Sequence, residues 1–180
     1  MHSLDRVMAY HAAPVLMGKK CANLVCVSAD DAAGYTDRFN RDFSPYGLRI
    51  HILGCGCGKR KGLFLYSADM LAHHIKGTRE QAFLRKLGYD DLGLIGALER
   101  LSERTEGVSF PHEIGVFLGY PIDDVIGFVE GREPKICGCW KVYSDTAYAL
   151  SLFECYKLCR KQLCGRLDKG LSLFEAVCMN

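Results

Sequence analysis

The sequence predicts an α+β domain: a small mixed or antiparallel sheet of three to four strands packed with several helices, helix-rich through its C-terminal two-thirds. Three observations predict it. Two short apolar runs, Asn23 to Ser28 and Leu48 to Leu53, carry strand patterning, the second alternating apolar and polar side chains. Apolar residues at helical spacing recur from Ser67 onward. No repeat or linker interrupts the order, and 180 residues suit one domain, so residues 1–180 are read as a single unit.

The elements follow from local signals. Leu4 to Met17 reads as a helix broken near Pro14. Asp30 and Asp31 open a second helix, with Tyr35 and Phe39 one turn apart on its inner face. Pro45-Tyr46-Gly47 ends it. Leu48–Leu53 and Gly62–Tyr66 pair as an antiparallel hairpin across a glycine-rich, basic connection. Asp90 and Asp91 cap a helix from Leu92 to Arg104, with Leu94, Ile95, Leu98 and Leu101 as its apolar stripe. Pro111 and Pro121 open two short helices that Gly119 and Gly131 close. Lys135 to Tyr143 reads as a final strand. Ser144 or Asp145 then caps a long helix to about Leu163, and a short helix follows Gly170.

Composition excludes some functions. Lys and Arg number 23 against 21 Asp and Glu, and the one dense basic run, Lys59-Arg60-Lys61, is short, so the strongly basic character usual in a nucleic-acid binder is lacking and no nucleic-acid partner is expected. No apolar run reaches the ~18–20 residues of a membrane span, and the first residues lack a signal-peptide pattern; a cytoplasmic protein is expected. Ten cysteines without an export signal point to reduced thiols, metal ligands or redox pairs rather than a disulfide framework.

Two cysteine pairs carry the sharpest chemistry. Cys55 and Cys57 sit among glycines and before Lys59-Arg60-Lys61; Cys137 and Cys139 flank Gly138. Four thiolates complete a shell for zinc, copper or an iron–sulfur cluster. Metal–sulfur bonds of about 2.3 Å put the sulfurs roughly 3.8 Å apart, closer than an extended chain allows, and the glycines permit the needed curl. A reversible dithiol is the alternative. Cysteines on the long helix, Cys155 and Cys159, read as core residues.

Other motifs fail on inspection. A P-loop needs glycine at position 53, which is Leu53, and Ser or Thr at position 60, which is Arg60. A zinc-protease helix beginning at His112-Glu113 needs histidine at position 116, which is Val116. A helix-turn-helix outline over Glu113 to Phe128 would present Asp123 and Asp124 to DNA phosphates, which repel them.

The block from Pro111 to Phe128, PHEIGVFLGYPIDDVIGF, with Trp140-Lys141-Val142-Tyr143 before a long helix, resembles a bacterial domain family of unknown function, DUF3793. His11-Ala12-Ala13-Pro14 and Ala22-Asn23-Leu24 extend the resemblance across nearly the whole chain. That resemblance implies one domain and a setting mainly in anaerobic Gram-positive bacteria, and supplies no activity. Its blocks concentrate on His112, Glu113, Tyr120, Asp124, Trp140, Lys141 and Tyr143, so a small-molecule or protein-binding pocket is expected around His112 and Trp140. Cys55 and Cys57 lie outside these blocks, and Cys139 stands where the family carries an aromatic residue. The leading expectation is an accessory protein of anaerobic redox or metal metabolism acting through its paired cysteines. The binding module is the second, and an enzyme with His112 and Glu113 as acid and base the third.

Overall fold

The computed structural model describes residues 3–54, 58–90, 92–107 and 110–178. Helices α1 (Ser3–His11) and α2 (Ala13–Leu16) precede strand β1 (Ala22–Ser28) and helix α3 (Ala29–Phe43). The chain breaks at Ala12, one residue before α2, because Pro14 fits the first turn of a new helix and not the interior of an old one. Strands β2 (Leu48–Leu53) and β3 (Arg60–Ser67) follow. Then come helices α4 (Ala68–Ile75), α5 (Thr78–Arg85), α6 (Leu94–Thr105), α7 (Ile114–Phe117) and α8 (Ile122–Val129). Two-residue strands β4 (Ile136–Cys137) and β5 (Lys141–Val142) lead into α9 (Thr146–Asp168) and α10 (Leu173–Cys178).

The sheet runs in the order β1-β3-β2, antiparallel throughout. Its central strand is buried without break from Gly62 to Tyr66, because helices cover both faces. Period-two alternation divides its side chains. Val25, Ile50, Leu63 and Leu65 pack against α1, α3, α9 and α10. Leu53, Phe64 and Tyr66 pack against α4, α6 and α7 on the other side. The predicted α+β class is what the chain adopts, as three layers with the sheet in the middle.

Three local expectations need correction. The run Lys135 to Tyr143 is a tight hairpin rather than one strand: the Lys135 N–H donates to the Val142 carbonyl at 2.8 Å, and the Gly138 N–H to the Trp140 carbonyl at 3.0 Å. Helix α6 starts at Leu94 after an N-cap glycine, and Ile95 is 56% exposed because Ala97, Leu98 and Leu101 set its inward phase. Asp91 lies outside the described residues. Helix α9 extends five residues beyond Leu163, with Asp145 as N-cap accepting from the Tyr148 N–H at 3.0 Å.

No helix among the described residues is long and apolar enough to cross a membrane.

Candidate functional site

An apolar concavity lies between α7, α8 and β5. It holds about 300 Å³ and is bordered by His112, Tyr120, Asp124, Phe128, Trp140 and Lys141. The turn between α7 and α8 forms one wall. Gly119 enters it at a φ of +74°, and a Cβ there would stand 2.5 Å from the Cys21 sulfur, so only glycine lets this turn close on β1's leading edge. Tyr120 and Pro121 then aim α8 back across the pocket.

Asp124 holds the site together. It sits in the first turn of α8 and is 2% exposed. One carboxylate oxygen accepts the Trp140 indole N–H at 2.7 Å. The other accepts the Tyr143 and Ser144 backbone N–H groups at 2.8 and 2.7 Å. A single buried acid therefore fastens α8 to the end of β5 and the start of α9. Gly127 completes the join, since a Cβ there would meet the Tyr143 ring at 2.6 Å.

Aromatic rings line the rest. Trp140 stacks on Tyr120, with centroids 5.1 Å apart and planes at 22°, and meets Phe153 edge-on at 4.6 Å. His112 approaches Phe128 edge-on at 5.1 Å, and the Lys141 ammonium stands 5.4 Å from the same ring. Phe110 and Phe128 are about half exposed at the mouth.

The predicted site residues thus divide. His112, Tyr120, Asp124 and Trp140 share the pocket. Glu113 faces away from it: buried at 3% exposure, it accepts from the Tyr89 hydroxyl at 3.1 Å and pairs with Arg104. Burial of the Tyr89 hydroxyl, and then the Glu113 charge beside it, push that hydroxyl well above the ordinary tyrosine range. Tyr143 contributes through its backbone and through its ring against Gly127. Sequence reasoning missed Phe110 and Phe128, whose only signal is an aromatic beside Pro111 and another one turn past Asp124.

Of the paired cysteines, Cys55 and Cys57 lie outside the described residues. Cys137 and Cys139 are exposed free thiols on either side of the β4–β5 turn. Among the described residues no group of three or more His, Cys, Asp or Glu is arranged to hold a metal ion, and the eight described cysteines are unpaired.

A family profile described as a protein of unknown function, DUF3793, matches residues 8–177. No curated protein matches the chain, and no solved structure does.

Proposed function

The chain belongs to the DUF3793 family, and we propose that it is a non-catalytic binding module whose α7–α8–β5 pocket takes a small, flat, apolar molecule bearing a negative charge. One observation carries this reading: an aromatic-walled cavity of about 300 Å³ with Lys141 and His112 at its mouth. That volume lies at the small end of ligand pockets, and stacked rings favour a flat occupant. The pocket's one acid, Asp124, is consumed by three hydrogen bonds, and Glu113 by two partners elsewhere. Neither carboxylate is poised for proton transfer, which favours binding over catalysis.

Trp140 is the single tryptophan and lines the pocket, so its fluorescence, read with variants of that pocket, follows binding. Titration with 2-naphthalenesulfonate should quench it saturably, with affinity reduced several-fold in Phe128→Ala and Lys141→Gln. Quenching that never saturates, or that both variants leave unchanged, would sink the proposal.

A second reading keeps dithiol or soft-metal chemistry, favoured by Cys137 and Cys139 standing exposed on one hairpin. It predicts stoichiometric zinc, copper or iron in protein purified without oxygen, lost in Cys137→Ser. Metal-free protein with unchanged thiol kinetics in that variant rules it out.

A further inference from the structure

Burying an unpaired charge is costly, so each buried ionic group should show its compensation. Four charged residues are buried among those described. Asp5 pairs with Arg38, Glu113 with Arg104, and Asp124 accepts three N–H donors. Lys20 is the exception. At 7% exposure its ammonium donates to the neutral Asn23 amide oxygen at 2.8 Å and lies 5.0 and 5.9 Å from the Tyr120 and Tyr156 ring centroids. Among the described residues no carboxylate is within ion-pair reach of it.

Lys20 borders a second cavity, of about 280 Å³, with Lys19 beside it, His73 and His74 from α4, and Tyr148 and Tyr156 from α9. Among the described residues no Asp or Glu contributes to its lining, which is completed by Cys21, Met70, Gly119 and Leu152. The Nε2 atom of His74 is buried with no hydrogen-bond partner. Cations and hydroxyls converge here, and no carboxylate among the described residues supplies their counter-charge.

We propose that this cavity binds a small organic monocarboxylate, whose charge supplies the counter-ion that Lys20 lacks. One buried ammonium matches one carboxylate, and the Met70, Leu152 and tyrosine surfaces suit a short carbon skeleton. The site is separate from the Trp140 pocket, although Tyr120 stands between them.

The proposal makes binding depend on pH. Burial lowers Lys20 to about 8, against smaller raising contributions from Cys21 and Cys139. Burial also pushes the Cys21 thiol up to about 11, so near pH 7 it supplies no negative charge. The other groups around the ammonium are Lys19, Asn23, Tyr120, Tyr156, His73 and His74, none of them acidic at neutral pH. A carboxylate that needs protonated Lys20 should bind about tenfold more weakly at pH 9 than at pH 7.

Calorimetric titration of the full chain with acetate, propionate and butyrate, aliphatic carboxylates unlike the flat ligand of the Trp140 pocket, at both pH values tests this, with phosphate and chloride at equal ionic strength as comparison arms. Saturable binding of at least one carboxylate, weakened about tenfold at pH 9, lost in Lys20→Met and kept in His112→Ala, is the expected result. No saturable carboxylate binding, an equal response to phosphate, or full affinity in Lys20→Met overturns it. Should Lys20→Met fail to fold, the wild-type profile decides alone: affinity that is flat between pH 7 and pH 9 overturns the assignment.

Discussion

Replacing Asp124 by Ala removes the acceptor for three donors at once, and the structure sets the cost of each. The Trp140 indole N–H is buried with its ring, which is 8% exposed, so its orphaning costs about 2 kcal/mol. The Tyr143 and Ser144 amides are half-buried and regain water, leaving about 0.5–1 kcal/mol each. Loss of an acid from the first turn of α8 adds a few tenths, and relief of the buried charge subtracts a comparable amount. The net is about 3–4 kcal/mol, or roughly 6–16 °C in Tm for a chain of this size. Urea denaturation followed at Trp140 measures it, and emission should shift to the red as β5 loosens from α8. Asp124→Asn should lie between wild type and Ala, because an amide can still accept the two backbone N–H groups but presents a donor to the indole. A loss below 1 kcal/mol in Asp124→Ala, with unshifted emission, would refute the idea that this carboxylate holds the pocket together.

Glu113→Ala should cost about 2 kcal/mol, less than a fully buried ion pair because Arg104 is one-third exposed and rehydrates, while naphthalenesulfonate affinity stays within twofold; a large affinity loss would place Glu113 in the binding machinery after all. Alkylation with iodoacetamide at pH 8, read by peptide mass spectrometry, should modify Cys137 and Cys139 at least tenfold faster than Cys21, which is buried, raised to about 11 and directed at the Phe117 carbonyl 3.8 Å away; equal rates would contradict that burial. Between about pH 8 and pH 10.5 folded Lys20 sheds its proton before unfolded Lys20 does, so the unfolded state binds more protons and this residue's contribution to stability rises with pH, by about 3 kcal/mol across the window. Stability of wild type relative to Lys20→Met should therefore improve over that range, and a constant difference would show that the ammonium is not buried as described.

The elements that were legible are those whose signal is local. Val25 and Val27, the alternation from Leu48, and the Asp145 cap before a long apolar periodicity all state their outcome within a few residues. The hairpin at Gly138 is not legible because Lys135 to Tyr143 reads as one continuous strand, whereas the turn depends on the Phe153 ring, fifteen residues away, packing where a side chain at Gly138 would stand. The site was legible as a set of residues but not as an arrangement. His112 and Glu113 are neighbours in sequence, yet one is exposed at the pocket mouth and the other buried against Tyr89, as the ~100° turn per residue near a helix start requires. Asp123 and Asp124 look like equivalent helix-opening acids. The first pairs at the surface with Arg79, whose guanidinium holds its carboxyl below the usual range, and the second turns inward to partners sixteen to twenty residues away. Nothing within a few residues of Asp124 announces those partners.

Tyr120 explains why neither cavity is independent of the other. Its ring stacks on Trp140 in one and lies 5.0 Å from the Lys20 ammonium that borders the other. Burial raises its hydroxyl to about 12, so at neutral pH the ring is an uncharged partition whose quadrupole faces a cation. A carboxylate arriving at Lys20 weakens that cation–π contact by neutralising the ammonium, and a flat molecule arriving beside Trp140 competes for the stacking face. Both contacts fall on the same ring, on which the single tryptophan stacks. Fluorescence alone therefore cannot assign an occupant to a cavity. The assignment comes from variants that touch one side only, Phe128→Ala for the aromatic pocket and Lys20→Met for the cationic one, while Tyr120→Leu should disturb both.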